Sequence, residues 1–203
     1  MCRNTKPGIG MLRQFGTVFA ILLLAAVASP PFASGADDAK KKEAARADIQ
    51  KMEKETLARL YKAQPKAKDA IANAAGYAVF SNFGMKIFVA GGGSGKGVAV
   101  DKATKKKTYM KMIEAQAGWG MGVKKFRLVW VFENRKGLDS FINSGWELGA
   151  QTSAAAQASG QGAALAGAMS IAPGIWLYQL TDDGLALELT AKGTKYYKDG
   201  DLN

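Results

Sequence analysis

Histidine is absent from this 203-residue sequence, and cysteine occurs once, as Cys2. Zinc sites, Ser-His-Asp triads and Cys-His dyads all depend on these two residue types, so the composition excludes them. Carboxylate and Ser-Lys catalysis are not excluded, but nothing in the composition favours them. We therefore expect a protein that is not an enzyme and that holds no metal or other cofactor.

Acidic residues are also scarce, with 17 against 28 basic ones and a formal net charge of +11. A strongly basic surface attracts nucleic acid, anionic lipid or acidic polymers through its long-range field. The choice among these partners depends on the compartment that the protein occupies.

The chain has one long apolar run, residues 15–27, near its N-terminus. Basic residues precede this run, and two prolines and the small residues 33–36 follow it, which is the pattern of a secretory signal peptide. We predict a signal peptide over residues 1–36, cleaved between Ala36 and Asp37. The alternative, an uncleaved membrane anchor, is less favoured because the run is shorter than the roughly 20 residues of a membrane span.

This leader predicts export to the periplasm or cell envelope, with the mature chain peripheral to the membrane. An exported basic protein meets anionic lipid, cell-wall polymer or acidic protein rather than nucleic acid. We therefore expect an anionic membrane surface as the partner, with an envelope protein as a further possibility and no nucleic acid.

Residues 37–65 form a separate N-terminal amphipathic helix in our prediction. One stripe at three- and four-residue spacing consists of Ile49, Met52, Thr56, Leu60 and Ala63. Lysine and arginine cover much of the remaining surface. Two interpretations stay open: the stripe docks on a sheet, or the helix lies on an anionic membrane. Pro65 ends the helix, and a shorter helix follows over residues 66–75.

Glycine is plentiful in the β region and strongly patterned. Every second residue is glycine in two stretches: Gly91, Gly93, Gly95 and Gly97, and then Gly118, Gly120 and Gly122. Because successive side chains on a strand alternate between faces, one face of each strand has no side chains. Glycine is retained where a sheet bends sharply or where another group approaches the backbone closely. These two Gly ladders predict a strongly curved, barrel-like antiparallel sheet.

The first Gly ladder superficially suggests a nucleotide-binding loop. A P-loop requires a glycine five residues before its Gly-Lys pair and a Ser or Thr directly after it, whereas Ala90 and Gly97 occupy these positions. Ser94 and Lys96 share a strand face, as a nucleophile and its base would, but no oxyanion device accompanies them. Glu114 and Glu147 are interpreted as structural ion pairs rather than acid–base catalysts.

The remaining pattern completes an α+β fold, with the N-terminal helices and one short helix packed on the sheet. We expect turns at residues 82–84, 105–107 and 124–125, a central strand over 126–132 and a short helix over 135–143. Residues 147–168 are rich in Ala, Gly, Ser and Gln and are interpreted as a strand and a loop, or as a linker. A hairpin around residues 182–184 and a strand over 194–198 follow.

Several ordered motifs resemble the SYLF lipid-binding family, also called the actin-regulator or Las17-binding domain. The segments are GYAVF at 76–80, GKGV at 95–98, FINSGWELG at 141–149, PGIWLY at 173–178 and GTKYYKD at 193–199. The last two are similar to the bacterial, exported branch of the family. The resemblance covers residues 71–203, and we assign 66–203 to a SYLF-like α+β domain.

The resemblance implies a non-enzymatic domain that binds membranes of the phosphoinositide type, partly through an amphipathic N-terminal helix, and in some members binds actin. For an exported chain we expect binding to anionic phospholipid of the bacterial envelope through basic surface residues. The alternative is a soluble periplasmic scaffold or stress-related protein that binds a protein or polymer. The candidate lipid-binding residues are Lys40, Lys41, Lys42, Arg46, Lys51, Lys54, Lys96, Lys105, Lys106 and Lys107.

Overall fold

The computed structural model describes residues 34–87, 90–117, 122–148, 167–182, 184–186 and 193–203, all within one compact unit, Ser34–Asn203. Residues 1–33 of the leader predicted over 1–36, the glycines 118 and 120 and most of the Ala/Gly-rich segment lie outside the described residues, whereas residues 34–36 belong to the first helix. The helices are α1 (Ser34–Ala63), α2 (Lys66–Asn73) and α3 (Arg135–Ser144). The strands are β1 (Gly76–Ile87), β2 (Ala90–Asp101), β3 (Lys107–Ala117), β4 (Gly122–Phe132), β5 (Trp146–Leu148), β6 (Met169–Ala172), β7 (Ile175–Thr181), β8 (Gly184–Ala186) and β9 (Thr194–Lys198).

All the described strands belong to one antiparallel sheet. Its order is β5-β9-β3-β2-β1-β4-β7-β6, and β8 pairs with β7. The long strands β1 to β4 form the centre, where every pairing in the described register is antiparallel. The α+β class that the sequence predicts is confirmed.

The sheet curls strongly, as contacts between distant strands demonstrate. Trp130 on β4 and Tyr196 on β9 are four strand positions apart in the sheet order. In a flat sheet that separation would be about 19 Å. Their ring centroids are 5.1 Å apart, so the sheet bends toward the face that carries both rings. This concave face gives the sheet the form of half a barrel, and the predicted curvature is confirmed.

Gly95 and Gly97 of β2 make this curvature possible because they leave the concave face without side chains at these two positions. A Cβ added at Gly97 would lie 2.7 Å from Cε1 of Phe80, and one added at Gly95 would lie 2.7 Å from Cγ of Met112. Both distances are far below van der Waals contact. Side chains of β1 and β3 therefore close over β2 and meet each other. In this way Nδ2 of Asn82 on β1 donates a hydrogen bond to Oε2 of Glu114 on β3.

A cluster of aromatic side chains fills the concave face. It includes Phe80, Trp130, Phe132, Phe141 and Tyr196, all with negligible exposure. Phe141 comes from α3, which closes this side of the core. The side chain of Asn134 caps α3 by accepting a hydrogen bond from N–H of Gly137 at 2.8 Å. Gly145 follows the helix with φ of +73°, a conformation that favours glycine.

The helices α1 and α2 pack on the convex outer face of the sheet. Leu60 of α1 and Ile71 of α2 lie in one buried cluster with side chains of β1, β4 and β7. Ile49, nearer the N-terminus of α1, lies in a second buried cluster with side chains of β2 and β3. The apolar stripe of the N-terminal helix therefore docks on the sheet. Neither α1, α2 nor α3 has the combination of length and apolarity that a membrane-spanning helix requires.

Two predicted turns are wrong. Strand β1 continues through residues 82–84, and β4 continues through 124–125. Asn82 pairs with Gly95 on one side and with Phe126 on the other, so strand pairing on both sides overrides the local turn signal. The hairpin between β2 and β3, the end of α1 before Pro65, α3 and β9 agree with the predictions.

A glycine substitution tests the role of the concave face. We expect Gly97→Ala to lower the free energy of unfolding by about 2 kcal/mol or more, because the added methyl group overpacks Phe80. Gly92→Ala is the matched control on the same strand, since among the described residues its Cβ would meet only the carbonyl oxygen of Glu114, at 3.5 Å. Urea denaturation of both variants measures the difference. Equal destabilisation by the two substitutions would contradict the assigned role.

Candidate functional site

Helix α1 crosses the outer face of the sheet and is fixed to it by polar contacts along its length. Nε2 of Gln50 donates to the hydroxyl of Tyr109 on β3 at 2.7 Å. Further along, Nη1 of Arg127 on β4 donates to the hydroxyl of Thr56 at 3.1 Å. Near the C-terminal end, Nη2 of Arg59 donates to the carbonyl oxygen of Thr181 at 2.9 Å. These contacts set both the position and the rotation of the helix.

A buried carboxylate lies at the centre of this interface. Glu53 is 3% exposed. Its Oε1 accepts from the hydroxyl of Tyr77 at 2.8 Å, and its Oε2 lies 2.7 Å from Nζ of Lys107. Burial, followed by the contact with Glu53, raises the pKa of Tyr77 far above its usual value. Lys107, one of the candidate lipid-binding residues, is therefore committed to an internal ion pair.

The rotation of α1 directs a stripe of lysine and alanine to solvent. The stripe consists of Lys40, Ala44, Ala47, Lys51, Lys54, Ala58 and Lys62, all exposed. Intervals of three and four residues place them on one side of the helix, opposite the docked residues Ile49 and Leu60. The stripe contains no acidic residue. In the part of the chain that the structure describes, its four ammonium groups have no ion-pair or hydrogen-bond partner.

The hairpin between β2 and β3 presents two further lysines, Lys105 and Lys106, both exposed. Asp101 organises this turn by accepting hydrogen bonds from the hydroxyl of Thr104 at 2.7 Å and from N–H of Ala103 at 3.0 Å. Nη1 of Arg135 lies 2.8 Å from Oδ2 of Asp101, the same oxygen that accepts from the hydroxyl of Thr104. The hydroxyl of Thr104, together with these donors, lowers the pKa of Asp101 below its usual value of 3.8.

A groove of about 480 Å³ lies beside this hairpin and brings three candidate residues together: Arg46, Lys106 and Lys107. Lys198 also lines it. Most of these cations are already engaged, because Nε of Arg46 donates to the carbonyl oxygen of Leu202 at 2.8 Å and Nζ of Lys198 donates to Oδ1 of Asn143 at 2.9 Å. Among the cations described in this groove, only the ammonium group of Lys106 therefore has no ion-pair or hydrogen-bond partner.

The remaining candidates are distributed over both ends of α1 and the sheet. Lys40, Lys51 and Lys54 lie on the stripe, whereas Lys41 and Lys42 lie beside it on the first turns of the helix. Lys41 is 4.0 Å from Asp38. Lys96 is exposed on the outer face of β2, separate from both groups. Sequence reasoning omitted Lys62, which the four-residue interval from Ala58 would have added.

The two acidic residues singled out from the sequence have structural partners. Glu114 is buried and accepts the hydrogen bond from Asn82. Glu147 is exposed, and its Oε1 lies 3.1 Å from Nζ of Lys195 on the neighbouring strand. Over the described ranges, no three Asp or Glu residues converge as metal coordination would require. Both glutamates therefore make side-chain contacts between strands of the sheet.

Comparison with known proteins identifies the domain. Residues 113–203 match the family model described as "Ysc84: Las17-binding protein actin regulator". The chain carries a SYLF-family domain. It is also similar to Beta cell expansion factor A of Aeromonas veronii, at 36% identity over 165 residues, which is 80% of this chain. The chain spans 60% of the length of that relative.

The family assignment confirms the resemblance to the SYLF family that the sequence motifs predict. The SYLF match begins in β3 and contains β4, α3, the described strands β5 to β9 and the aromatic residues Trp130, Phe141 and Tyr196. The concave core is thus built largely from the matched region, with β1 and β2 completing the same sheet. The SYLF family is a family of binding domains.

The buried ion pair beneath α1 generates a stability prediction. We expect Glu53→Gln to lower the free energy of unfolding by about 2 kcal/mol, because it removes the charge that pairs with Lys107 in a buried environment. Glu43→Gln, on an exposed position of the same helix, should change it by less than about 0.5 kcal/mol. Urea denaturation followed by circular dichroism measures both. A loss at Glu53 no larger than at Glu43 would show that the pair does not fix the helix.

The β2–β3 hairpin generates a pH prediction. Since the pKa of Asp101 is lower in the folded than in the unfolded chain, its ionised form stabilises the fold above the unfolded value, and this contribution disappears as the pH falls through the folded value. We therefore expect Asp101→Asn to be destabilising at about pH 6 and progressively less so as the pH falls below 3.8. Urea midpoints at several pH values test this, with the exposed Asp48→Asn as control. A difference that does not shrink toward acidic pH would contradict the assignment.

Proposed function

We propose that this domain binds the anionic surface of a phospholipid membrane, of the phosphoinositide or other acidic phospholipid type, and that it acts without catalysis. The observation that carries the proposal is the Lys–Ala stripe on the solvent side of α1 (residues 40–62). The family assignment supports a binding role, and the leader pattern supports a site of action in the bacterial cell envelope.

The stripe is suited to a flat charged surface. Its residues span 22 helical positions, or about 33 Å along the helix axis. The alanines between the lysines are short, so the four ammonium groups are the most prominent atoms on this side of the helix. Each lysine near an anionic bilayer contributes roughly 1 kcal/mol, so the stripe supplies about 4 kcal/mol in total.

The proposed mechanism is electrostatic and does not involve insertion of the helix. Ile49 and Leu60, which would have to enter the bilayer, are buried against the sheet. Insertion would require α1 to undock and would expose the carboxylate of Glu53 and its partners. A docked helix with a basic outer stripe binds at the level of the head groups instead.

Vesicle co-sedimentation of the full chain tests the proposal. We expect binding to phosphatidylglycerol-containing vesicles to weaken about a hundredfold in the triple variant Lys51→Gln, Lys54→Gln, Lys62→Gln, because three surface contributions are lost. Binding of the unmodified chain should also weaken as salt is added, since counterions screen exposed charges.

A matched triple variant provides the control. Lys66→Gln, Lys68→Gln, Lys136→Gln removes the same charge from exposed positions outside the stripe. We expect a loss of less than about tenfold, through net charge alone. Equal losses in the two triple variants would overturn the role of the stripe. Equal sedimentation with neutral phosphatidylcholine vesicles, or none with either vesicle type, would overturn lipid binding and favour a protein or polymer partner in the envelope.

A further inference from the structure

A row of polar side chains crosses the outer face of the sheet beside α1. Ser81 on β1 is in register with Arg127 on β4 and, on its other side, with Lys96 on β2. Side chains in register on adjacent strands have Cβ atoms about 5 Å apart and point to the same face. The hydroxyl of Ser81 therefore lies between a guanidinium and an ammonium group.

Two grooves on the outer face meet at this row, and Ser81 lines both of them. The first, of about 290 Å³, is lined by the cations Arg59, Lys125 and Arg127 and by one carboxylate, Asp182. The second, of about 440 Å³, is lined by Ser94, Lys96, Lys111, Ile113 and Tyr197. Together they surround the row with hydroxyl groups and cations.

Lys96 and Lys111 lie opposite each other on neighbouring strands, but their contacts differ. These two lysines are in register on β2 and β3, an arrangement that destabilises a sheet. Nζ of Lys111 lies 2.9 Å from Oδ1 of Asp199 and 3.0 Å from Oδ2 of Asp201. These contacts neutralise Lys111 and raise its pKa. Lys96 has no ion-pair or hydrogen-bond partner in the described part of the chain.

Arg127 retains donors for a further contact. Its Nη1 donates to Thr56, and its Nη2 lies 3.5 Å from Oε2 of Glu55. A guanidinium has five N–H groups, and its planar fork matches the oxygens of a phosphate. The contacts to α1 hold this side chain in place at the edge of the groove.

We propose that Arg127, Ser81 and Lys96 form a binding site for the phosphate of an anionic phospholipid head group. This inference rests on the proposed function and identifies a specific site for it. The second groove supports a lipid rather than a free phosphate, because Ile113 is 47% exposed there, beside the unpaired ammonium of Lys96. An exposed apolar side chain next to a cation complements the glycerol and proximal acyl region beside a head-group phosphate.

A pair of double variants tests the site in the full chain. Ser81→Ala, Lys96→Gln removes two of the three donors, and Ser140→Ala, Lys136→Gln makes the same changes on the exposed surface of α3. We expect the first to bind phosphatidylglycerol vesicles about fivefold more weakly and the second to differ by less than about twofold. Neither should lower the urea midpoint, and removal of Lys96 should relieve its repulsion from Lys111. Equal losses in both double variants would overturn the site.

NMR titration distinguishes the source of the phosphate. With monomeric dihexanoyl phosphatidylglycerol, we expect saturable shifts of the amides of Ser81, Lys96 and Arg127 and of the methyl groups of Ile113. With inorganic phosphate, we expect weaker shifts of the three amides and none at Ile113. Equally strong amide shifts with inorganic phosphate, or none with the lipid, would overturn the proposal.

The two proposals fail in different ways. If the stripe variant loses vesicle binding and Ser81→Ala, Lys96→Gln does not, only the phosphate site is overturned. If the unmodified chain does not bind anionic vesicles in preference to neutral ones, both the proposed function and the site are overturned.

Discussion

The fold depends on the absence of side chains at Gly95 and Gly97, on the concave face of β2. Gly95 and Gly97 leave space that Met112 and Phe80 occupy, and this lets the flanking strands lean toward each other. The resulting curl brings Trp130 and Tyr196 into contact across four strand positions. A β-branched side chain at either glycine would force the sheet open and separate the aromatic core. The hydrogen bond from Asn82 to Glu114 crosses β2 for the same reason.

Curvature toward one face makes the other face convex, and this decides how α1 is used. The helix crosses the convex face and uses its apolar stripe and Glu53 for docking. Its outward side makes no contact with the sheet, and the stripe of lysine and alanine there is flanked by the exposed Glu43 and Glu55. An amphipathic helix is often read as membrane-inserting, but here the apolar side already has a partner within the domain.

The glycine spacing and the helix boundaries were accessible from sequence because they are local signals. Alternating glycines predict curvature, and Pro65 predicts the end of the first helix. The pairing of Glu53 with Lys107 was not accessible, because 54 residues separate them and no local pattern connects them. The predicted turns at residues 82–84 and 124–125 were wrong because strand pairing with neighbouring strands overrides the preference of the local residues for a turn. Those false turns broke β1 and β4, and with them the register that places Ser81 between Arg127 and Lys96.

The two proposed contacts differ in height above the sheet, and this suggests an order of events. A helix with its side chains is about 10 Å in diameter, so the outward stripe stands roughly that far above the row on the sheet. A flat membrane resting on the stripe would leave the row about one Debye length away, where its field is weakened but still felt. Contact with Arg127, Ser81 and Lys96 then requires a head group to descend into the groove beside α1. The stripe would thus set the rate and orientation of encounter, and the row would select the head group that stays bound.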